Sequence, residues 1–222
     1  MKISKFVGLA KRCGYLRVIH TDKDEIMLSN GEAFYKANGL PSVWLEEQII
    51  AMLDIEPMQA RKIHIKIDQV KSFANVYGLD LTDGFIGTTD ARKLRTSACV
   101  NGVLAQAVEA VDGELIFYDE KLLAPLSDRI KESEYTKLAI RETIDGLKYI
   151  VFMDGIEVLA AILPKKIISK DYLEELKEFE GKAYQQYIRE SRRELEKKEK
   201  EEMLRQQVDL ETGEILEDEQ EA

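Results

Sequence analysis

Residues 115–168 read LIFYDEKLLAPLSDRIKESEYTKLAIRETIDGLKYIVFMDGIEVLAAILPKKII, and this stretch decides the fold. Asp119 stands where a helix N-cap belongs, and Leu122, Leu123 and Leu126 give the short helix behind it an apolar side. Three strand-like runs follow at 135–141, 149–153 and 157–163. They are separated by the turn signals Asp145-Gly146 and Asp154-Gly155 and closed by Pro164. Helix followed by an antiparallel meander is an α+β signature.

The N-terminus repeats the theme. Ile3, Phe6, Val7 and Ala10 fall at helical spacing, with Ser4 as a candidate cap and Gly14 as a stop, and strands are expected at 15–21, 25–28 and 32–37. A second helix is expected behind Ser42, with Val43, Ile49, Ile50 and Leu53 inward and Trp44 as an anchor. The run KIHIKI at 62–67 alternates as a half-buried strand. Residues 68–97 carry loop-forming Asp and Gly and place a subdomain boundary; strands resume at 98–111 and 114–118, with Asp112-Gly113 between them.

Beyond Pro164, Asp171 and Glu174 have the spacing of a capping box opening a long helix. Leu173, Leu176, Phe179, Tyr184, Tyr187 and Ile188 supply its apolar positions, and the sequence predicts that they pack inward. The expected organisation is an α+β subdomain at 1–75, a second at 76–168, a charged helix at 169–207 and a flexible acidic tail at 208–222. The sheets are expected to be mainly antiparallel with short packing helices.

The chain has 222 residues and a formal net charge of −10, unevenly placed. Residues 201–222 hold nine acids against Arg205 alone, while the first twenty carry Lys2, Lys5, Lys11, Arg12 and Arg17 and no acid. Such asymmetry admits a surface facing a polyanion despite the acidic total, and equally an ordinary solvated face. Two cysteines, Cys13 and Cys99, without a CxxC spacing, fit free buried thiols in a reducing, cytoplasmic setting. No apolar run reaches the ~18–20 residues that a membrane span needs.

Catalytic residue types are sparse. His20 and His64 are the only imidazoles, one at a strand end and one on the polar side of KIHIKI. Asp80, Asp83 and Asp90 in DLTDGFIGTTD miss the spacing of a calcium loop and read better as turn formers. The glycines form neither GxGxxG nor GxxxxGK[ST]. No catalytic, metal or cofactor site is therefore expected, and the expectation is a non-enzymatic protein.

Basic positions carry more information. Lys2, Lys5, Lys11 and Arg12 lie apart from the apolar stripe of the first helix, and Arg92, Lys93 and Arg95 extend the set. Together they are the candidate contacts to DNA phosphates, which would be independent of sequence. Tyr184, Tyr187 and Ile188 are the candidate contacts to protein partners.

The pieces YDEKLLAPL, YTKLAIRET, KYIVFMDG and EVLAAILPKKI, within 118–168, resemble the last subdomain of DNA sliding clamps, and residues 3–37 resemble an earlier copy of that theme. The resemblance rests on element order and the terminal Leu-Pro. It implies a ring with basic helices around duplex DNA, an acidic exterior and a hydrophobic pocket for short peptides of polymerases. The chain is shorter than any clamp, so a ring would require several copies, a homo-oligomer. The ending DLETGEILED resembles tails on phage and bacterial DNA-metabolism proteins. The function expected is that of a phage or bacterial DNA replication or recombination accessory. The alternative is a protein-interaction or inhibitor module that acts through its C-terminal helix and tail without nucleic acid.

Overall fold

In the computed structural model, which describes residues 1–100, 102–167 and 170–212, two stretches of chain build the same motif. In the first, α1 (Ile3–Cys13) is followed by β1 (Tyr15–Thr21), β2 (Ile26–Ser29) and β3 (Ala33–Lys36). Gly14 ends α1 because its left-handed φ of 64° lets its N–H return to the Ala10 carbonyl, a conformation costly for any residue with a Cβ. Between β2 and β3, the Asn30 carboxamide accepts from the Glu32 and Ala33 amides and closes the hairpin.

Short helices and strands connect the motifs: α2 (Glu46–Met52), α3 (Pro57–Ala60), β4 (His64–Val70), β5 (Thr89–Asp90), β6 (Arg92–Val100), β7 (Val103–Glu109) and β8 (Leu115–Asp119). The second motif then opens with a 3₁₀ helix, Glu120–Leu126, capped by the Asp119 carboxylate on the Lys121 amide at 2.9 Å. It continues through α4 (Ser127–Glu132) into β9 (Thr136–Glu142), β10 (Lys148–Asp154) and β11 (Glu157–Ile162).

One eight-stranded sheet, in the order β4-β1-β2-β3-β11-β10-β9-β5, takes strands from both motifs. The two meanders meet at the antiparallel pair β3·β11, where Phe34 faces Ala161. An order palindromic about an antiparallel centre has a local pseudo-twofold axis there. It fails at the ends: β4 joins β1 in parallel, whereas β5 joins β9 antiparallel over only Thr89 and Asp90. The strands β6-β7-β8 form a separate three-stranded sheet. The fold is thus α+β with mostly antiparallel sheets, as the sequence predicts.

Both faces of the large sheet are buried along its central strands. On one, Phe6, Val7, Leu9 and Ala10 of α1 and Leu122 and Leu126 of the 3₁₀ helix pack on Leu16, Val18, Leu28, Tyr35, Ile150 and Phe152. On the other, Ile19, Met27, Phe34, Tyr149, Val151 and Met153 lie under Phe73, Val76, Leu79 and Leu81. The unbroken apolar run of β10 follows from this, since odd and even positions both meet a hydrophobic partner. Each fully buried side chain of this size contributes about 1.5–3 kcal/mol of transfer free energy.

The segment between β4 and β5, illegible in the sequence, is the cover of that second face. It is tethered through its backbone: the buried Arg141 donates to the Asp80 carbonyl at 2.7 Å and to the Thr88 hydroxyl at 2.8 Å, and Tyr149 bonds both the Asp80 carbonyl and amide. Asp80 accepts from its own turn at Thr82, Asp83 accepts from the Val158 amide and Lys36, and Asp90 pairs with Lys137.

Several local expectations are corrected. α1 begins at Ile3 with Lys2 as its cap position, so Ser4 lies inside the helix. α2 begins at Glu46, because Gln48 rather than Ser42 reaches back to the free amides of Trp44 and Leu45. Arg92, Lys93 and Arg95 belong to a strand, and the run 98–111 is two strands. Cys99 is exposed, not buried.

The contacts divide the chain into two units, Met1–Ile167 and Ile168–Ala222. The second holds α5 (Lys170–Thr212), 43 residues and so about 65 Å of helix. Phe179, Tyr184 and Tyr187 are exposed rather than packed, at 69, 65 and 67 %. The Thr-Gly turn and the acidic end after Thr212 lie outside the described residues, as do the side chains of Leu173 and Leu176.

Candidate nucleic-acid interface

α1 presents Ser4, Lys5, Gly8, Lys11 and Arg12 to solvent, opposite its buried stripe. Gly8 sits near the middle of this strip, between Lys5 and Lys11, with open space where a Cβ would stand. The strip is not uniformly available. Lys2 pairs with Asp128 of α4 at 2.6 Å, and its own amide donates to the Pro125 carbonyl, so the helix start is fastened to the second motif.

Arg12, a candidate phosphate contact, is engaged within the protein as a crossbrace. Its Nη2 lies 2.9 Å from Asp119 and 3.7 Å from Glu32. Asp119 is 2 % exposed, and without Arg12 its carboxylate would keep only its cap bond inside the protein. The same knot holds Cys13, whose thiol accepts from Asn30 and faces Glu32; burial, then Glu32, push its pKa up, which favours the unreactive thiol. Tyr35 completes it by donating to the Leu122 carbonyl at 2.7 Å, joining β3 to the 3₁₀ helix.

The β6 cations are similarly divided. Arg92 pairs with Glu109 at 3.6 Å across the hairpin, Lys93 pairs with Glu120 at 3.0 Å, and Arg95 is exposed. Among the described residues, Lys5, Lys11 and Arg95 are the members of the predicted set with no carboxylate within salt-bridge distance. Tyr184, Tyr187 and Ile188 lie on α5, the first two exposed and the third half-buried.

The histidines do not form a pair. Tyr15 opposes His64 and His20 opposes Gln69 in the parallel register, which sets the imidazoles five residues, ~16 Å, apart along the strands and on opposite faces. His20 is fully buried; it stacks on Trp44 at 4.1 Å and contacts the Val43 carbonyl at 2.9 Å and the Ser42 hydroxyl at 3.3 Å. Burial lowers its pKa, partly opposed by the Val43 carbonyl and Asp24. Trp44 and Ser42 thus latch the 41–45 segment to β1 instead of anchoring and capping a helix.

Two features gather residues that no sequence-based expectation had assigned together to a site. One is an apolar groove of about 520 Å³ beside the β9 edge, lined by Leu123, Ile130, Leu138 and Phe152 with Lys93 and Glu120 at its rim. The other is a cluster of Tyr15, Arg17, His64, Lys66 and Tyr77 at the β1–β4 end of the sheet. The groove combines residues from distant segments and leaves no local signal; for the cluster, the period-two placement of Tyr15 with Arg17 and of His64 with Lys66 is the available hint. Among the described residues no group of three or more potential metal ligands gathers, and no helix is long and apolar enough to cross a membrane. Neither family models nor curated proteins nor solved structures match the chain.

Proposed function

We propose that this protein is a non-enzymatic accessory of phage or bacterial DNA replication or recombination, clamp-like in its body and working in the cytoplasm, that meets duplex phosphates through α1. The observation that carries the reading is the palindromic β1-β2-β3-β11-β10-β9 order, which brings α1 and the 3₁₀ helix of the two motifs onto the same face of one sheet. This repeat of a helix followed by three strands supports the clamp-like reading, because it sets two helices side by side on one face where a polyanion could meet them. Lys5 and Lys11 are the phosphate contacts, and Lys2 and Arg12 hold the helices in place. The groove beside β9 takes an apolar peptide of a partner, and a ring would assemble from several copies through the sheet edges at β4 and β5.

The test is retention of a labelled duplex at low salt, with light scattering on the same sample for assembly. Reversing Lys5 and Lys11 to glutamate together abolishes retention. A folded double variant that binds as the parent does, or a parent that binds no duplex, overturns the proposal.

The exposure of Phe179, Tyr184 and Tyr187 favours a second reading, a protein-interaction or inhibitor module acting through α5 without DNA. Loss of partner capture on removal of residues 170–222, with duplex binding absent throughout, would select it.

A further inference from the structure

The sheet face opposite α1 is covered by the segment between β4 and β5, but the cover thins at the β1–β4 end. There Tyr77 adopts φ 54°, a left-handed conformation that a bulky residue adopts only when its surroundings enforce it. Here the backbone enforces it: Tyr77 and Gly78 are the two central residues of a tight turn closed by reciprocal bonds between the Val76 and Leu79 backbones. The turn holds the ring in place, where the Tyr77 hydroxyl donates to Asp68 at 2.6 Å and the Arg17 guanidinium lies 4.4 Å from the ring centroid on one side. Phe34 stands 6.2 Å away, tilted against the same ring. Even so, Tyr77 is 48 % exposed.

Arg17 is held between rings, 5.3 Å from the Tyr15 centroid as well as 4.4 Å from Tyr77. Its Nε is 3.1 Å from Asp68, close enough for an ion pair, yet the angle is wrong for a hydrogen bond and this buried N–H has no partner. Among the described residues its terminal nitrogens have no protein acceptor either, although the side chain remains 20 % exposed. Next to it in the register stands Lys66, 47 % exposed, sharing the single carboxylate of Asp68. His64 continues the row, its ring tilted 30° against Tyr15 with the centroids 5.8 Å apart. The cluster therefore has two cations to one anion in a chain of net charge −10, beside an exposed aromatic face.

We propose that Tyr77, Arg17 and Lys66 form a binding site for single-stranded DNA, with a base stacked on the open side of the Tyr77 ring and the adjoining phosphate on Arg17 and Lys66. An exposed aromatic ring beside unsatisfied guanidinium donors matches the two halves of a nucleotide, a π-face and an anion. A duplex does not fit, because its bases are already stacked on each other and offer no free face. The site is distinct from the α1 strip, being on the other side of the sheet, and does not depend on it. Its role would be to hold an unpaired strand while the helical face meets paired DNA.

The experiment is fluorescence anisotropy of a labelled oligo(dT) at low salt with the full chain. The parent binds, Tyr77→Ala weakens binding on the order of tenfold, as loss of one stacked base does, and Tyr77→Phe, which keeps the ring but loses the bond to Asp68, weakens it less than Tyr77→Ala. Lys66→Glu weakens binding and flattens its salt dependence, and lowers oligo(dT) affinity by a larger factor than the Lys5 and Lys11 reversals, which instead abolish duplex retention. Should Tyr77→Ala fail to fold, Arg17→Gln and Lys66→Glu carry the test, each expected to weaken binding severalfold. Absence of oligo(dT) binding, equal binding by folded Tyr77→Ala, or binding lost only with Lys5 and Lys11 overturns the proposal. Tighter binding of oligo(U) than of oligo(dT) would overturn DNA as the ligand.

Discussion

The ion pairs around α1 and β6 make the salt dependence of duplex binding a quantitative test. Counterion release gives a slope of about −0.9 in log K against log salt for each phosphate neutralised on duplex DNA. If all seven predicted cations engaged phosphates, the slope would be about −6, and affinity would fall several thousandfold between ~50 and ~200 mM salt. The structure commits Lys2, Arg12, Arg92 and Lys93 to Asp128, Asp119, Glu109 and Glu120, which leaves Lys5, Lys11 and Arg95. Three contacts predict a slope of about −2.7 and a loss of about 40-fold over the same range. Replacing Lys5 and Lys11 with glutamine removes two contacts and leaves a slope of about −0.9. Anisotropy titrations of a labelled duplex at four or more salt concentrations measure both slopes. A parental slope of about −6 would show that phosphates displace the carboxylates, and a slope unaffected by the double substitution would refute α1 as the contact surface.

Two further outcomes follow from the buried polar groups. Because burial depresses the His20 pKa, the neutral ring is bound in the folded state; its contribution to stability is present above the unfolded value of about 6.5 and is lost as pH falls through the lower folded value. Acidification should therefore loosen the His20–Trp44 stack, read as a change in the fluorescence of Trp44, the only tryptophan. A His20→Gln variant should lack that transition, and persistence of the transition would assign it elsewhere. Asp119→Ala removes both a helix cap, about 1 kcal/mol, and a charge-assisted hydrogen bond, about 1.5–3 kcal/mol. A shift of the urea midpoint worth about 2–4 kcal/mol at constant slope is expected, and one below ~1 kcal/mol would mean that Arg12 and Asp119 do not brace α1.

Local chemistry makes much of the fold legible in the sequence. Asp119 caps its helix through its own next turn, and the Asn30-Gly31, Asp145-Gly146 and Asp154-Gly155 turns are set by neighbouring residues, so the two meanders can be read from short windows. The covering segment cannot: Phe73, Val76, Leu79 and Leu81 follow neither a strand nor a sustained helix period, because the sheet beneath them dictates which side chains turn inward. The parallel β1·β4 pairing is hidden for a related reason. Its partners are about fifty residues apart and no turn joins them.

The candidate site divides in the same way. Sequence by itself determined that the N-terminal helix is amphipathic and basic, that the chain is α+β, and where its hairpins turn, because each of these depends on residues within a few positions of one another. Only the tertiary structure decided which cations are free. Arg12 meets Asp119 across 107 residues, Lys93 meets Glu120 across 27, and Arg17 meets Tyr77 only after the cover folds over the sheet. A charge is available to a ligand only if no nearer carboxylate has claimed it, and proximity between distant segments is a property of the folded chain.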